Sequence, residues 1–305
     1  MKRLKFIFFL FLIECLLGCQ NQTFYKEERV LLGTYVEIIA PKKEAIENAF
    51  SEIKRIEVLL NKYDPNSEVS RLNREGKLKL SKETFYVIRK AKEFWQKTEG
   101  AFDITVEPLL EIWGFLDKNY RIPTPEEIKG TLELVGADKI LLNEVNQTAE
   151  FQKKGMRIDL GGIAKGYAVD MAVRKLKEMG IENALINAGG DIYCLGDKAK
   201  KLWKVGIKEP QNKGLRKIIY LKDKAIATSG DYEQYFKNQQ KKYCHIFDPK
   251  KGYPIDSGMV SVTVSANDCL TADALATAIM VLGVDKGKEL VKNWEAKIED
   301  FVLAH

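Results

Sequence analysis

Cysteine and histidine are scarce in this 305-residue sequence, which contains five cysteines and two histidines. No pair of cysteines has the C-x-x-C spacing of a metal site, and the cysteines are too scattered for a disulfide framework. The sequence also lacks a run of lysines and arginines with interleaved aromatic residues, so the formal charge of +6 predicts a mildly basic surface. These absences argue against cysteine chemistry and against a nucleic-acid partner.

The first residues have the features of an export signal. The positive segment MKRLK is followed by the apolar stretch Phe6–Ile13, which is too short to span a bilayer. The sequence LLGC at Leu16–Cys19 resembles a bacterial lipoprotein signal, in which the cysteine is lipidated. An ordinary cleaved signal or a short membrane anchor is the alternative, and each version exports the protein. We therefore expect a signal peptide at residues 1–18, lipidation at Cys19, a polar tether at residues 19–28 and one domain at residues 29–305.

Strand and helix patterns are mixed along the rest of the chain. A strand pattern covers Arg29–Ile39, and amphipathic helix patterns cover Lys42–Leu60 and Lys82–Glu99. Thr124 is expected to cap another helix, and Met156–Asp159 is strand-like. Because the two kinds of element do not alternate strictly, we predict an α+β fold: a single layered domain with mixed or antiparallel sheets and packed helices.

The segment TADALATAIMVLG near the carboxyl end predicts an apolar helix with a polar edge. Asp273 and Thr277 are four residues apart and therefore lie on one helix face. One interpretation is a polar edge on a packed helix that Thr271 caps. The other is a pair of hard oxygen ligands for a divalent cation.

Two glycine turns follow strand-like segments. In DLGGIAKG the adjacent glycines precede a helix, and Lys165 adds a mobile positive charge, a combination suited to an anion. The spacing matches neither the dinucleotide fingerprint nor the P-loop. The second turn is AGGD, which ends at Asp191. Two such turns at strand ends predict a shared crevice. For DLGGIAKG taken alone, a tight strand-to-helix turn without a ligand is the alternative.

His245 lies in the segment CHIFDPKKGYP. It is suited to a general base or a phosphate contact, and the simpler alternative is a hydrogen bond to the DPKKG turn. A nucleophilic pair with Cys244 is not expected, because adjacent residues of an extended segment point to opposite faces. Farther upstream, Tyr63 and Phe102 could stack on a planar ring, and Asp103 lies among apolar residues.

Taken in order, the motifs resemble those of the ApbE-type family of FAD:protein FMN transferases. They are LLGT, KYDPNSEVSRLN, GAFDITVEPLLEIWGF, DLGGIAKGYAVD, NAGGD, TSGDYEQYF, HIFDPKKGYP and TADALAT. The resemblance implies Mg²⁺-dependent cleavage of FAD, transfer of FMN to a Thr or Ser hydroxyl of a target flavoprotein, and release of AMP. It also implies partners on the exported side: a Thr- or Ser-bearing segment of a membrane or exported redox flavoprotein, and the membrane itself through the lipid.

The resemblance also assigns residues. Asp273 and Thr277 would hold Mg²⁺ through side-chain oxygens, with backbone oxygens near Gly162 and Ala276. Asp273 and His245 are the expected catalytic residues, and Asp159 or Asp191 could replace His245 as the base. The expected FAD-binding residues are Leu32, Tyr63, Ala101, Phe102, Asp103, Asp159, Lys165, His245 and Ile246.

Two other activities stay open at this point. The same residues permit hydrolysis of FAD to FMN and AMP, with water in place of the protein hydroxyl. A flavin-binding lipoprotein without chemistry is the second alternative, although it would need no metal beside the phosphates. The sequence ends at KIEDFVLAH, so we expect the family's last strand to be short or missing.

Overall fold

A computed structural model describes residues 23–210, 212 and 214–304 of the chain. The expected signal peptide and Cys19 lie outside the described residues. None of the helices within these ranges is long and apolar enough to cross a membrane. The described helices are α1 Lys43–Leu60, α2 Glu68–Glu75, α3 Lys82–Lys97, α4 Glu107–Ile112, α5 Pro125–Leu132, α6 Ala164–Glu178, α7 Cys269–Leu282 and α8 Val284–Lys292.

The structure contains antiparallel sheets as well as packed helices, which confirms the predicted α+β architecture. The first eight strands are β1 Tyr25–Leu31, β2 Thr34–Ala40, β3 Lys77–Lys79, β4 Ile140–Asn143, β5 Thr148–Phe151, β6 Ala184–Ala188, β7 Asp191–Leu195 and β8 Trp203–Lys208. The others are β9 Leu215–Leu221, β10 Lys224–Gly230, β11 Tyr235–Asn238, β12 Lys241–Cys244, β13 Phe247–Asp248, β14 Tyr253–Pro254, β15 Met259–Ala266 and β16 Lys297–Leu303.

A seven-stranded antiparallel sheet forms the centre of the fold, in the order β1-β2-β6-β7-β10-β15-β16. Successive side chains of a strand point to opposite faces, so each strand serves two layers. In β6, Ile186 packs into the main core with α1, α6 and α7, whereas Leu185 packs with Trp203 of the hairpin β8–β9. The domain is therefore layered as helices, sheet and hairpin.

The start of α7 is fixed by acidic side chains. Asp268 is the N-cap, and its carboxylate accepts the backbone N–H of Thr271 at 2.8 Å. Asp170 on α6 accepts the N–H groups of Cys269 and Leu270 at 2.7 and 2.8 Å. These bonds satisfy donors that a helix start leaves without partners. The expectation that Thr271 caps this helix was wrong, because the cap lies three residues earlier.

Several predicted elements agree with the structure and several differ. Thr124 caps α5 through a capping box, as predicted. The single strand expected at Arg29–Ile39 is two antiparallel strands, because Leu32 and Gly33 adopt positive φ values of 55° and 70° and reverse the chain. Strand β1 begins at Tyr25, so the last residues of the expected tether are paired in the sheet.

Two further differences concern short segments. Met156–Asp159 is irregular and not a strand. The last strand is present, since the seven-residue β16 pairs with β15 and closes that edge of the sheet. The expectation of a short or missing strand was therefore wrong. Polar residues of β16, such as Glu299, which accepts a hydrogen bond from Ser265, weaken the apolar alternation that marks a strand in sequence.

Candidate active site

A cleft of about 580 Å³ opens beside the start of α6 and the polar edge of α7. This volume falls in the range of small-molecule sites. Twelve residues that the sequence predicted for the site line it: Leu32, Tyr63, Ala101, Phe102, Asp103, Asp159, Gly162, Lys165, His245, Ile246, Asp273 and Thr277. Ala276 does not line the cleft and is buried in the core. The structure thus brings these residues together, while their individual roles stay predictions.

Asp273 is a buried carboxylate at the floor of the cleft. Only 4% of the residue is exposed, and its Oδ2 accepts the backbone N–H of Gly166 at 3.2 Å. Burial, with the nearby negative charge of Asp191, raises the pKa of Asp273 to about 7. A buried carboxylate with one backbone hydrogen bond is a group that a cation would stabilise in its charged form.

Thr277 lies one turn farther along α7, as the four-residue spacing predicts. Its hydroxyl is 3.3 Å from the hydroxyl of Ser229 on β10. Gly162 packs directly against it, because a Cβ on that glycine would lie 2.9 Å from Thr277 Oγ1. The glycine therefore allows the DLGG turn to approach α7 closely.

This donor set suits Mg²⁺. One carboxylate, hydroxyls and backbone carbonyls are hard oxygen ligands of the kind that Mg²⁺ prefers. The part of the chain that the structure describes holds no group of three or more His, Cys, Asp or Glu arranged for a metal. A cation here would therefore depend on Asp273 and Thr277, with the backbone near Gly162 and the phosphates of a substrate.

Lys165 connects the two glycine turns. Its Nζ lies 2.5 Å from Oδ2 of Asp191, which is only 1% exposed. Burial alone would lower the pKa of Lys165, but the carboxylates of Asp191 and Asp273 outweigh it and raise that pKa. This contact joins the two glycine turns, but residues 188–191 do not line the cleft, so the expectation of a shared crevice is not confirmed. The expectation of a mobile lysine was wrong, because the ammonium group is held by an ion pair.

Lys62 and Asp159, which both line the cleft, form a second ion pair. Lys62 Nζ lies 2.6 Å from Oδ2 of Asp159, and Asp159 Oδ1 accepts the N–H of Gly161 at 2.7 Å. Both oxygens of Asp159 are therefore already engaged. Asp191 accepts from Lys165 through Oδ2 alone, and each carboxylate oxygen has two lone pairs, so Asp159 and Asp191 both stay open as alternatives to His245 as the general base.

His245 is partly exposed at the side of the cleft. Its Nδ1 lies 3.2 Å from the carbonyl oxygen of Gln234. A carbonyl can only accept, so Nδ1 carries the proton and Nε2 keeps its lone pair. Burial lowers the pKa of His245 below its ordinary value of 6.5. The imidazole is thus neutral near pH 7, and it bonds to Gln234 instead of the DPKKG turn.

Asp103 stabilises the wall of the cleft. Oδ1 accepts the N–H and the hydroxyl of Thr105 at 2.8 and 2.6 Å, and Oδ2 accepts the N–H of Ala137 at 3.3 Å. Burial raises the pKa of Asp103 to about 6. These internal bonds indicate that the carboxylate holds two segments together.

The two aromatic residues proposed for stacking are in different environments. Tyr63 is 70% exposed, and the ammonium group of Lys62 lies 5.1 Å from its ring centroid. Phe102 is 3% exposed and packs edge-on against Phe94, with centroids 5.8 Å apart. Tyr63 is therefore the ring with a free face, and Phe102 belongs to the wall.

Sequence reasoning did not single out several polar residues of the cleft. Lys62, Ser229, Glu233 and Gln234 all line it. Each belongs to a motif used for the resemblance, but the chemistry of the motif alone did not mark these positions. Glu57 was also missed: its carboxylate accepts the N–H of Leu32 at 2.8 Å and fixes the β1–β2 turn at the cleft.

Comparison with known proteins agrees with this geometry. The ApbE family model matches residues 32–302. The FAD:protein FMN transferase of Haemophilus influenzae is 34% identical over 84% of this chain and 77% of its own length, and that of Klebsiella pneumoniae is 32% identical over 86% and 84%.

Solved structures give the same result. The ApbE protein of Thermotoga maritima is 36% identical and superposes with a TM-score of 0.85 over 93% of this chain and 97% of its own. The flavin transferase ApbE of Vibrio cholerae is 30% identical, with a TM-score of 0.81 over 92% and 94%. By its sequence, its fold and the residues gathered in its cleft, the chain belongs to the ApbE family.

Proposed function

We propose that this protein transfers FMN from FAD to a Thr or Ser hydroxyl of a target flavoprotein. In this reaction the hydroxyl oxygen attacks the phosphorus on the FMN side of the pyrophosphate. The bond from that phosphorus to the bridging oxygen breaks, AMP leaves with the electron pair, and a phosphoester remains on the target. The observation that carries the proposal is one cleft that joins the Asp273–Thr277 edge, the Lys165–Asp191 pair and a neutral His245.

Charge is the first obstacle to this reaction, because a pyrophosphate repels an oxygen nucleophile. Lys165 is held charged at the junction of the two glycine turns, and the turn before α6 brings backbone groups close to the site. Mg²⁺, if held by Asp273, Thr277 and the backbone near Gly162, would neutralise part of the phosphate charge. Asp191 holds the ammonium group of Lys165 in place, and that group would add positive charge beside the phosphates.

The proton of the acceptor hydroxyl needs a base. We assign that role to His245, whose Nε2 is unprotonated while Nδ1 donates to Gln234. The low pKa of this imidazole keeps it neutral without prior deprotonation. The flavin ring would contact Leu32, Tyr63 and the segment Ala101–Phe102, which line the apolar part of the cleft.

The test incubates the chain from Gln20 onward with FAD, Mg²⁺ and a flavoprotein fragment that carries an acceptor threonine. Mass spectrometry should detect a fragment heavier by one FMN, with AMP in solution. The Asp273→Asn variant is the control and should give no adduct. Production of FMN and AMP with several acceptor fragments but no adduct would favour the FAD hydrolase, and intact bound FAD would favour a flavin carrier.

We further propose that the protein is an exported bacterial lipoprotein, anchored to the membrane through Cys19, which acts on membrane or exported redox flavoproteins. The support is the positive segment, the short apolar stretch and the LLGC sequence. Labelling of growing cells with radioactive palmitate should mark the protein, and the Cys19→Ala variant should lose the label. A label that survives this substitution would contradict the assignment of Cys19.

A further inference from the structure

The segment that forms the hairpin β8–β9 concentrates the positive charge of the protein. Residues 198–224 contain ten lysines and arginines and two acidic residues, a formal charge of +8 in a chain whose total is +6. Within β8, Lys204 and Lys208 are exposed, whereas Trp203 and the other alternate residues are buried against the sheet. The strand alternation thus collects on one outer face lysines that are separated in sequence.

Among the lysines of this segment that the structure describes, most lack an acidic partner. Arg216 pairs with Glu209 and Asp300, and Lys222 pairs with Asp197. In contrast, no acidic side chain of the described ranges forms an ion pair with the exposed lysines Lys200, Lys201, Lys204 and Lys208. An uncompensated cluster of this kind attracts a polyanionic surface.

Exposed apolar side chains share the outer face with the lysines. Ile218 and Tyr220 are 42% and 59% exposed, and Tyr220 lies opposite Lys204 in the hairpin register. Leu215 is 60% exposed and folds over Gly206, where a Cβ would lie 2.7 Å from the leucine. Lysine, tyrosine and aliphatic side chains together suit a membrane interface, where the apolar parts enter below the headgroups and the amines meet the phosphates.

The amino-terminal end of the described chain lies at the same hairpin. Phe24 packs edge-on against Trp203, with ring centroids 5.7 Å apart. Cys19 precedes Phe24 by five residues, which span at most about 18 Å when extended. A lipid at Cys19 would therefore hold the start of β8 close to the bilayer surface.

We propose that the outer face of the hairpin β8–β9 docks on an anionic lipid bilayer. The residues of this docking face are Leu202, Lys204, Lys208, Leu215, Ile218 and Tyr220. None of them lines the cleft, so the docking face acts independently of FMN transfer. Docking would fix the orientation of the domain on the membrane, which a lipid attached at one residue does not do.

The test is co-sedimentation of the chain from Gln20 onward with lipid vesicles. Every described helix and strand follows residue 24, so this form keeps the fold but has no lipid of its own. It should bind vesicles of mixed phosphatidylglycerol and phosphatidylcholine but not vesicles of phosphatidylcholine alone. Binding should weaken strongly at about 0.5 M salt, where charges are screened over a few ångströms.

Matched variants locate the contact. Each lysine near an anionic surface contributes about fivefold to binding, so Lys204→Glu with Lys208→Glu should weaken binding at least about 25-fold. The double variant Lys129→Glu with Lys154→Glu makes the same charge change at exposed sites outside the hairpin and should weaken binding far less. FMN transfer to a soluble acceptor fragment should be unchanged in both variants.

Three outcomes would overturn the proposal. The first is no binding to anionic vesicles, and the second is equal loss of binding in the hairpin and control variants. The third is retention of random duplex DNA without vesicle binding, which would identify a general polyanion surface. Because FMN transfer is measured separately, failure of the docking face is distinguishable from failure of the proposed enzyme activity.

Discussion

Lys165 on the first turn of α6 and Asp191 at the start of β7 form an ion pair, with 2.5 Å between Nζ and Oδ2. Asp191 is almost completely buried, so its negative charge is stabilised by the positive charge of the Lys165 ammonium group. The same lysine also acts electrostatically on Asp273. One side chain thus joins the two glycine turns, the helix and the expected metal edge.

Substitution Lys165→Met should therefore affect both stability and activity. Loss of one partner leaves a buried charge without compensation and should lower the free energy of unfolding by about 3 kcal/mol. The loss of a charge at the pyrophosphate should reduce kcat/KM for FMN transfer by at least about 100-fold. Urea denaturation and the mass-spectrometric transfer assay measure the two effects.

Lys77→Met is the control for this variant. Lys77 pairs with Glu150 at 2.6 Å, but both side chains are largely exposed, so its loss should cost at most about 1 kcal/mol. Equal stability losses in the two lysine variants would show that Lys165 and Asp191 are not energetically coupled.

Asp273→Asn should separate cation binding from folding. In the wild-type protein without Mg²⁺, the carboxyl group has a pKa raised from 3.8 to about 7. Its contribution to stability is therefore fully present below about pH 3.8, declines as the pH rises from 3.8 to about 7, and is absent above that. The asparagine variant should lack this pH dependence. It should also lose the stabilisation that Mg²⁺ gives the wild type, which is about 2.7 kcal/mol of unfolding free energy at 100 times Kd and is seen as a rise in Tm.

The pH dependence of Mg²⁺ binding provides a second check on Asp273. A proton must leave this carboxyl group before a cation binds, so the apparent affinity should fall about tenfold per pH unit below about pH 7. Isothermal titration calorimetry at pH 5.5, 6.5 and 7.5 measures this slope. An affinity that does not change over this range would remove Asp273 from the ligand set.

His245→Asn should abolish the acid limb of the pH–rate profile. Saturating Mg²⁺ removes the contribution of Asp273 to the profile. Because burial lowers the pKa of His245 below 6.5, the wild-type kcat/KM under that condition should be constant above that pH and fall below it. The variant should lose about 100-fold in rate and show no fall at the same pH, while FAD binding measured by flavin fluorescence changes little. Full turnover in the variant would eliminate the histidine as the base.

Gly166→Ala should damage the site through the backbone. A Cβ at Gly166 would lie 2.4 Å from the carbonyl oxygen of Cys269, so α6 and α7 would have to separate. We expect a loss of about 3 kcal/mol in unfolding free energy and a loss of transfer activity. Gly130→Ala in α5 is the contrast, because a Cβ there would meet no atom within 4 Å apart from the backbone of its own helix. It should stabilise the protein by up to about 1 kcal/mol.

The sequence was sufficient for most of the local structure. Apolar residues at three- and four-residue steps predict α1 and α3, and Thr124 followed by Pro125 predicts the start of α5. The four-residue spacing of Asp273 and Thr277 correctly places both on the edge of α7 that faces the cleft. These features depend on contacts between residues close in the chain, which periodicity and capping chemistry report directly.

The partners of the site residues required the tertiary structure. Asp191 is 26 residues from Lys165, Asp159 is 97 residues from Lys62, and Gly166 is 107 residues from Asp273. No local pattern marks such pairs, because each is created by the order of strands in the sheet and the packing of α6 on α7. The additional bonds of Asp170 to the start of α7 were missed for the same reason, since Asp170 reaches it from another helix.

The sequence by itself therefore determined the family, the helices and the set of residues available for chemistry. The tertiary structure decided their chemical states: which lysine is held in an ion pair, which histidine nitrogen carries the proton, and which lysines share the outer face of the hairpin. The physical reason is that residue type and spacing act locally, whereas burial, charge pairing and tautomer depend on neighbours that only the folded chain brings together.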